Sequence, residues 1–124
     1  MRDHEYWLRI AEEDRMAIRS LSADAGPWRI VVFLASSAAE KYLKAFLAFH
    51  DRDPERTHDM NKLLIEGRTF DASLDELVSD CGHLSLFSVD SRYPEYEGDY
   101  DEVSARRAVA ASDRVCMAIR ERIS

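Results

Sequence analysis

Three short groups of residues carry side chains able to do chemistry. The first is Glu40, Lys41 and Lys44, set in the stretch Trp28 to Phe49, WRIVVFLASSAAEKYLKAFLAF. At about 100° per residue in a helix, Ser37, Glu40, Lys41 and Lys44 fall on one narrow stripe, while Trp, Ile, Val, Phe and Leu cover the rest. A helix apolar nearly all round is usually buried, and buried lysines are costly unless paired. The stripe therefore reaches solvent through a groove or binds something anionic. In one reading Glu40 and Lys44, four apart with the acid nearer the N-terminus, form a helix ion pair worth about a few tenths of a kcal/mol, with Lys41 snorkelling. In the other, Lys41 and Lys44 hold phosphates.

The second group is Arg56-Thr57-His58-Asp59. Thr57 or His58 sits where a helix cap is expected, and the helix N-terminus behind it is an alternative anion site, with Arg56 and His58 adding charge. His50, Asp51, His58 and Asp59 are types that ligate metals, but no HExxH or Cys/His spacing accompanies them, so neither a metal nor a cofactor is expected. The third group is Arg92-Tyr93-Pro94. An arginine beside a proline-stiffened aromatic can grip a phosphate and stack on a base, or can anchor a loop by pairing with Glu95, Glu97 or Asp99. The acidic run Glu95 to Glu102 favours the anchor, or a surface for a basic partner. Nucleophilic catalysis has little support. Neither Cys81 nor Cys116 has a neighbouring base, Ser36-Ser37 lie in an apolar helix without a strained elbow, and there is no phosphate-cradling glycine loop.

Helices must position these groups. A first helix is expected from about His4 to Ser22, with Trp7, Ile10, Ala11, Asp14, Ile18 and Leu21 inward at spacings of three and four. Asp24-Ala-Gly-Pro27 stops it. The second spans 28–49, about 33 Å at 1.5 Å per residue, and ends in the polar loop His50 to Thr57. A short third helix runs from about Asp59 to Glu66, with Met60, Leu63 and Leu64 inward and Gly67 closing it. A fourth spans about Ala72 to Leu86. A fifth runs from about Asp101 to Ile123, with Ala105, Ala108, Val109, Ser112, Cys116, Ile119 and Ile123 on one face. The expected fold is all-α: an up-and-down antiparallel bundle of four long helices and one short one, forming a single domain over 1–124.

Composition agrees. The chain has 124 residues, 46% hydrophobic and 33% charged, with only four glycines and three prolines, which argues against a many-turned β architecture. A formal charge of −7 speaks against a general nucleic-acid-coating role. Two cysteines without CxxC spacing and a charged start, MRDHEYW, without a signal-peptide core point to a reduced, cytoplasmic setting. The charges in 28–49 make a buried helix, rather than a membrane span, the expectation.

Taken together these pieces resemble the HEPN family of small helical-bundle domains. The matching residues are Trp7, Ala11, Asp14 and Ala17; then Ala38-Ala39-Glu40-Lys41-Tyr42-Leu43-Lys44-Ala45; then Thr57-His58-Asp59 before Leu63-Leu64; and Arg92-Tyr93-Pro94 before the last helix. The resemblance implies a symmetric homodimer and, in many members, pairing with a minimal nucleotidyltransferase in a toxin–antitoxin or defence setting. Some members are ribonucleases using R-x4-6-H near the start of a late helix; others bind nucleotides. Here no histidine follows Arg92, and the literal match is Arg52 to His58, in the loop after helix two. The expectation is a non-catalytic module that homodimerises and binds a nucleotide or a nucleotidyltransferase partner, with Lys41, Lys44, His58 and Arg92 as anion contacts. Helix two motivates the dimer, since it has more apolar surface than one small bundle covers. The alternatives are a metal-independent ribonuclease toxin using His58 with Arg52 or Arg92, and a purely structural interaction domain.

Overall fold

A computed structural model describes residues 3–90 and 100–123, and side chains 88–90 are left out of the description. Arg92-Tyr93-Pro94 and the acidic residues 95–99 lie outside the described residues. The elements are α1 (His4–Ala23), α2 (Trp28–Phe49), α3 (Met60–Arg68), a 3₁₀ helix (Ala72–Leu77), α4 (Val78–Asp90) and α5 (Glu102–Arg122). No strand occurs among the described residues.

The local chemistry explains each boundary. The Asp3 carboxylate caps α1 by accepting the Tyr6 N–H at 3.0 Å. At its other end the chain turns through Ala25 and Gly26, with φ of 62° and 110°, and the Gly26 N–H closes on the Leu21 carbonyl at 2.8 Å. A β-carbon at Gly26 would lie 2.8 Å from the Trp28 nitrogen, so glycine is required there. For α3 the cap is Asp59, one residue after His58 and two after Thr57, the expected candidates: its carboxylate accepts the Asn61 and Lys62 N–H groups at 3.0 and 3.3 Å. Gly67 does not close α3 but sits buried inside it, where an added β-carbon would come within 3.1 Å of the Leu74 side chain. Its role is close packing.

The expected fourth helix is two elements. Asp71 draws in the Ser73 N–H at 2.9 Å and the Ser73 hydroxyl at 2.6 Å, and Arg122 grips the same carboxylate at 3.2 Å. Leu74 and Leu77, three apart and both buried, suit the three-residue turn of a 3₁₀ helix. The four-residue geometry begins only at Val78. At the end of α5, Arg122 donates to the Ala118 carbonyl at 2.7 Å and so satisfies a last-turn acceptor.

Pairings along the helices fix their directions. Ser112 and Arg120 of α5 meet Ala35 and Tyr42 of α2, so these two run parallel. Glu12 and Arg15 of α1 meet Arg120 and Asp113 in reverse order. Leu84 meets Ser36, while Gly67 and Leu74 near the start of this segment pack by Phe46, so α4 runs antiparallel to α2. The bundle is up-and-down, as expected, with α3 as the short element.

Helix α2 is the core. Fourteen of its 22 residues are buried, and α1, α3, α4 and α5 all pack on it. Small residues are frequent on both α2 and α5: Ala35, Ala38 and Ala39 on the first and Ala105, Ala108, Ala111 and Ser112 on the second are all nearly inaccessible. The Ser112 hydroxyl donates to the Ala35 carbonyl at 2.7 Å, and the Ser36 hydroxyl to that of Leu84 at 3.2 Å. The apolar surround of α2 is thus covered within one protomer, which removes the helix-two argument for a dimer. Exposed large apolar side chains lie elsewhere, at Met16, Ile65, Val78, Leu86, Val103 and Met117.

Candidate functional site

The charged stripe of α2 is closed by partners from two other segments. Glu40 and Lys44 are both buried, 6% and 7% exposed, and the Lys44 ammonium donates to Glu40 at 3.2 Å. The ammonium also lies 5.4 Å from the centre of the Trp7 ring on α1, a cation–π contact. The other face of the Glu40 carboxylate takes His58, whose Nδ1 lies 3.0 and 3.2 Å from the two oxygens. One position along α2, the Lys41 ammonium donates to Asp14 of α1 at 2.8 Å. His58 keeps half of its side chain in solvent and Lys41 about a quarter. Buried carboxylates and ammonium groups survive only when paired, and each here has its opposite. Each ammonium group is matched by one carboxylate.

The ion-pair reading of Glu40 and Lys44 therefore holds in geometry, but not in the magnitude given to an exposed helix pair, because both partners are inside. Lys41 does not snorkel alone; Asp14 holds it. The signal for Asp14 was an acid on an otherwise apolar face of α1, which calls for a cation opposite.

A second polar network lies between α1, α2 and α5 and has no obvious signature in the sequence. The buried Tyr42 hydroxyl donates to Glu12 at 2.5 Å and accepts from Arg120. Arg120 and Arg15 also reach Glu12 at 2.6 and 2.9 Å. Burial, helped by Glu12, pushes the Tyr42 phenol above its ordinary value. For Glu12 burial acts upward, but the Tyr42 hydroxyl and the Arg15 and Arg120 charges outweigh it and hold the carboxyl below the ordinary value. Every group in this network is spoken for, which makes it an internal brace.

The remaining candidates separate. Arg52 lies 5.4 Å from the centre of the Phe70 ring and pairs with Glu66 at 3.7 Å, while His50 stacks on Phe70 at 4.6 Å. Glu66 is near the C-terminal end of α3 and His58 precedes its N-terminus, about 12 Å apart along the helix at 1.5 Å per residue. Arg52 and His58 are thus drawn to different neighbours. Arg92 lies outside the described residues. The N-terminal amides of α3 that would hold an anion are taken by Asp59. Among the described residues, no three His, Cys, Asp or Glu side chains gather to hold a metal, and no helix is long and apolar enough to cross a membrane. Cys81 and Cys116 are free and buried, and burial pushes each thiol up to about 12. Two buried ring nitrogens, Trp7 Nε1 and His83 Nε2, find no hydrogen-bond partner among the described residues.

The HEPN domain pattern matches residues 4–122. The chain belongs to the HEPN domain family. The crystal structure of an archaeal HEPN homologue superposes with a TM-score of 0.80 at 25% identity, covering 100% of both chains. No curated protein matches the chain. The HEPN resemblance seen in the sequence also acquires a place. Of its matching residues, Trp7, Glu40, Lys44 and His58 meet in one group, and Asp14 and Lys41 form a separate pair one position along α2.

Proposed function

We propose that this HEPN domain is a non-catalytic, homodimeric module that binds a nucleotide, a minimal nucleotidyltransferase partner or both, in a cytoplasmic toxin–antitoxin or defence setting. The observation that carries this reading is the meeting of Lys44 and His58 on Glu40 beside the Trp7 ring, with the Lys41–Asp14 pair next along α2. A phosphate approaching the half-exposed His58 lies beside the Glu40–Lys44 pair, and Lys41, three residues before Lys44 on α2, adds a second cation on the same face. Arg92 is the fourth proposed contact. For the dimer, the exposed Val103 and Met117 of α5, with Val78 and Leu86 of α4, supply the apolar surface that α2 does not.

Calorimetry with ATP and GTP on the wild type and Lys44→Ala tests the ligand. Heat in the wild type that falls at least tenfold in affinity in the variant supports the site; no heat, or equal heats, returns the cluster to a structural ion pair. Sedimentation showing a monomer at micromolar concentration removes the dimer. The ribonuclease reading draws on one feature, the carboxylate-held His58, and lacks a converging Arg52. Growth arrest on expression of the chain by itself, relieved by His58→Ala, would favour it.

A further inference from the structure

We propose that two copies of this chain pair through α5, antiparallel and crossing at Ala110, with Arg106 of each protomer on Asp113 of the other. The argument begins with the face of α5 that the described residues leave open. Its inner face is fixed: Ala105, Ala108, Val115 and Ile119 are fully buried, and the Ser112 hydroxyl holds the Ala35 carbonyl at 2.7 Å. At about 100° per residue, Val103, Ala110 and Met117 lie within about 40° of one another on the opposite side. They stand seven apart, the spacing of a helix-pairing seam. Val103 is 67% exposed and Met117 49%. Ala110, midway between them, is exposed and small, so a second helix can come close there.

The charges beside this seam select the second helix. Asp113 and Arg106 flank it on the side of α1, where Asp113 reaches Arg15 and Arg106 shares a cavity wall with Ser22. Arg107 and Arg114 flank it on the side of α4, where Arg114 holds Asp80. A two-fold axis at Ala110 reverses the chain direction and keeps each flank on its own side, so residues equally far before and after the axis come face to face. Val103 then meets Met117. Arg106, four before the axis, meets Asp113, three after it, with an offset of about 1.5 Å along the helix. The pair forms twice, which is the self-complementarity that an isologous contact requires. Both groups have capacity for it. Arg106 gives its Nε–H to Glu102 at 2.7 Å and has four further N–H groups; Asp113 is half-exposed, with Arg15 no nearer than 3.7 Å. On the other flank Arg107 faces Arg114, whose charge three hydrogen bonds already tie to the Asp80 carboxylate. Alongside Arg106 and Asp113 runs a cavity of about 230 Å³ walled by Trp28, Val31, Ala105 and Val109. The second helix covers it and takes that apolar wall from water.

This deepens the homodimer reading and rests on it. The seam shares no residue with the Glu40–His58 cluster.

The test starts from sedimentation of the full chain across micromolar concentrations, where a dimer is expected. An isotope-filtered NOE spectrum of mixed ¹³C-labelled and unlabelled wild-type chains is then expected to show contacts between protomers from the Val103 methyls to the Met117 methyl, and from Ala110 to Ala110. Asp113→Arg, which sets like charges against each other at both pairs, should weaken the dimer at least about tenfold. Arg106→Asp combined with Asp113→Arg should restore it to within about threefold of the wild type. A monomer overturns both the pairing and the homodimer reading. A dimer whose contacts between protomers fall elsewhere, such as at Val78 and Leu86, overturns the α5 crossing and leaves the homodimer standing. These wild-type spectra decide the crossing whether or not the variants fold. Equal affinity in wild type and Asp113→Arg, or no recovery in the exchanged variant, overturns the Arg106–Asp113 pairing.

Discussion

Replacing Glu40 by glutamine should cost this domain far more than an exposed helix pair would. The carboxylate is 3.2 Å from the Lys44 ammonium and 3.0 Å from His58 Nδ1, and its side chain is only 8% exposed. At an effective dielectric of about 20, opposite charges at that separation attract by roughly 5 kcal/mol before desolvation is counted. Removing one member strands the other, and breaking a buried pair costs about 3–5 kcal/mol. Two contacts soften this for glutamine: its amide oxygen still accepts one hydrogen bond, worth about 1 kcal/mol, and the Trp7 ring continues to face the ammonium, worth about another 1 kcal/mol. The expected loss is about 1–3 kcal/mol for Glu40→Gln. Lys44→Met leaves Glu40 on the half-exposed His58 and should lose about 1–2 kcal/mol. The double variant should be no worse than the worse single, giving a coupling of about 1 kcal/mol or more. Urea denaturation of the four proteins, with unchanged slopes, measures this. A loss under about 0.5 kcal/mol for Glu40→Gln, or additivity within about 0.3 kcal/mol, would refute a buried, closed pair.

Other consequences follow from the packing. Gly82 lies in α4 with nothing within 4 Å of an added β-carbon, so Gly82→Ala should stabilise by about 0.5–1 kcal/mol; a destabilised thermal midpoint would contradict this. Cys81 and Cys116, both inaccessible and with thiols near 12, should react with a disulfide reagent at least about a thousandfold more slowly in the native state than in denaturant, because reaction awaits opening. Rapid labelling of either would show that α4 or α5 is loosely held. Acid should destabilise the fold in two stages. Burial, with the charges of Arg107 and Arg114, lowers the His83 value, so the unfolded chain takes the proton first and stability declines as pH falls below about 6.5. Glu12, also lowered, contributes stability that is present above about 4.5 and is lost as pH falls through its folded value. Denaturation midpoints measured against pH for the wild type and His83→Gln check the first stage, which should shrink in the variant; identical profiles would count against it.

The sequence shows the three longest helices closely, because their apolar spacing and their stop signals agree. Asp3 and Asp101 cap where polar residues precede apolar periodicity, and Gly26 ends α1 for a backbone reason that any reader of sequence can see. The break at Val78 is hidden, since Leu74, Leu77, Val78 and Cys81 satisfy a helical period whether the turn holds three residues or four; what decides it is Asp71, gripped by Ser73 and by Arg122 from the far end of the chain. The charged trio on α2 is visible as an anomaly, and Asp14 as its counterpart. Glu12, Tyr42 and Arg120 are not, because their meeting depends on α1 and α5 flanking α2 at one level, with Glu12 and Arg120 108 positions apart. The apolar surround of α2 misleads in one respect: it suggests a partner protomer where four elements of the same chain already supply the cover.

The central claim is that a nucleotide engages the cluster at His58, and chemical-shift mapping of the ¹⁵N-labelled chain with added ATP tests it most directly. The expected result is saturable shifts of the Trp7 indole N–H, the His58 ring and the Lys41 and Lys44 amides, all lost in His58→Ala. Shifts confined instead to the groove between α4 and α5 lined by Glu76, Asp80, Arg114, Met117 and Glu121, or no shifts at millimolar ATP, would contradict it.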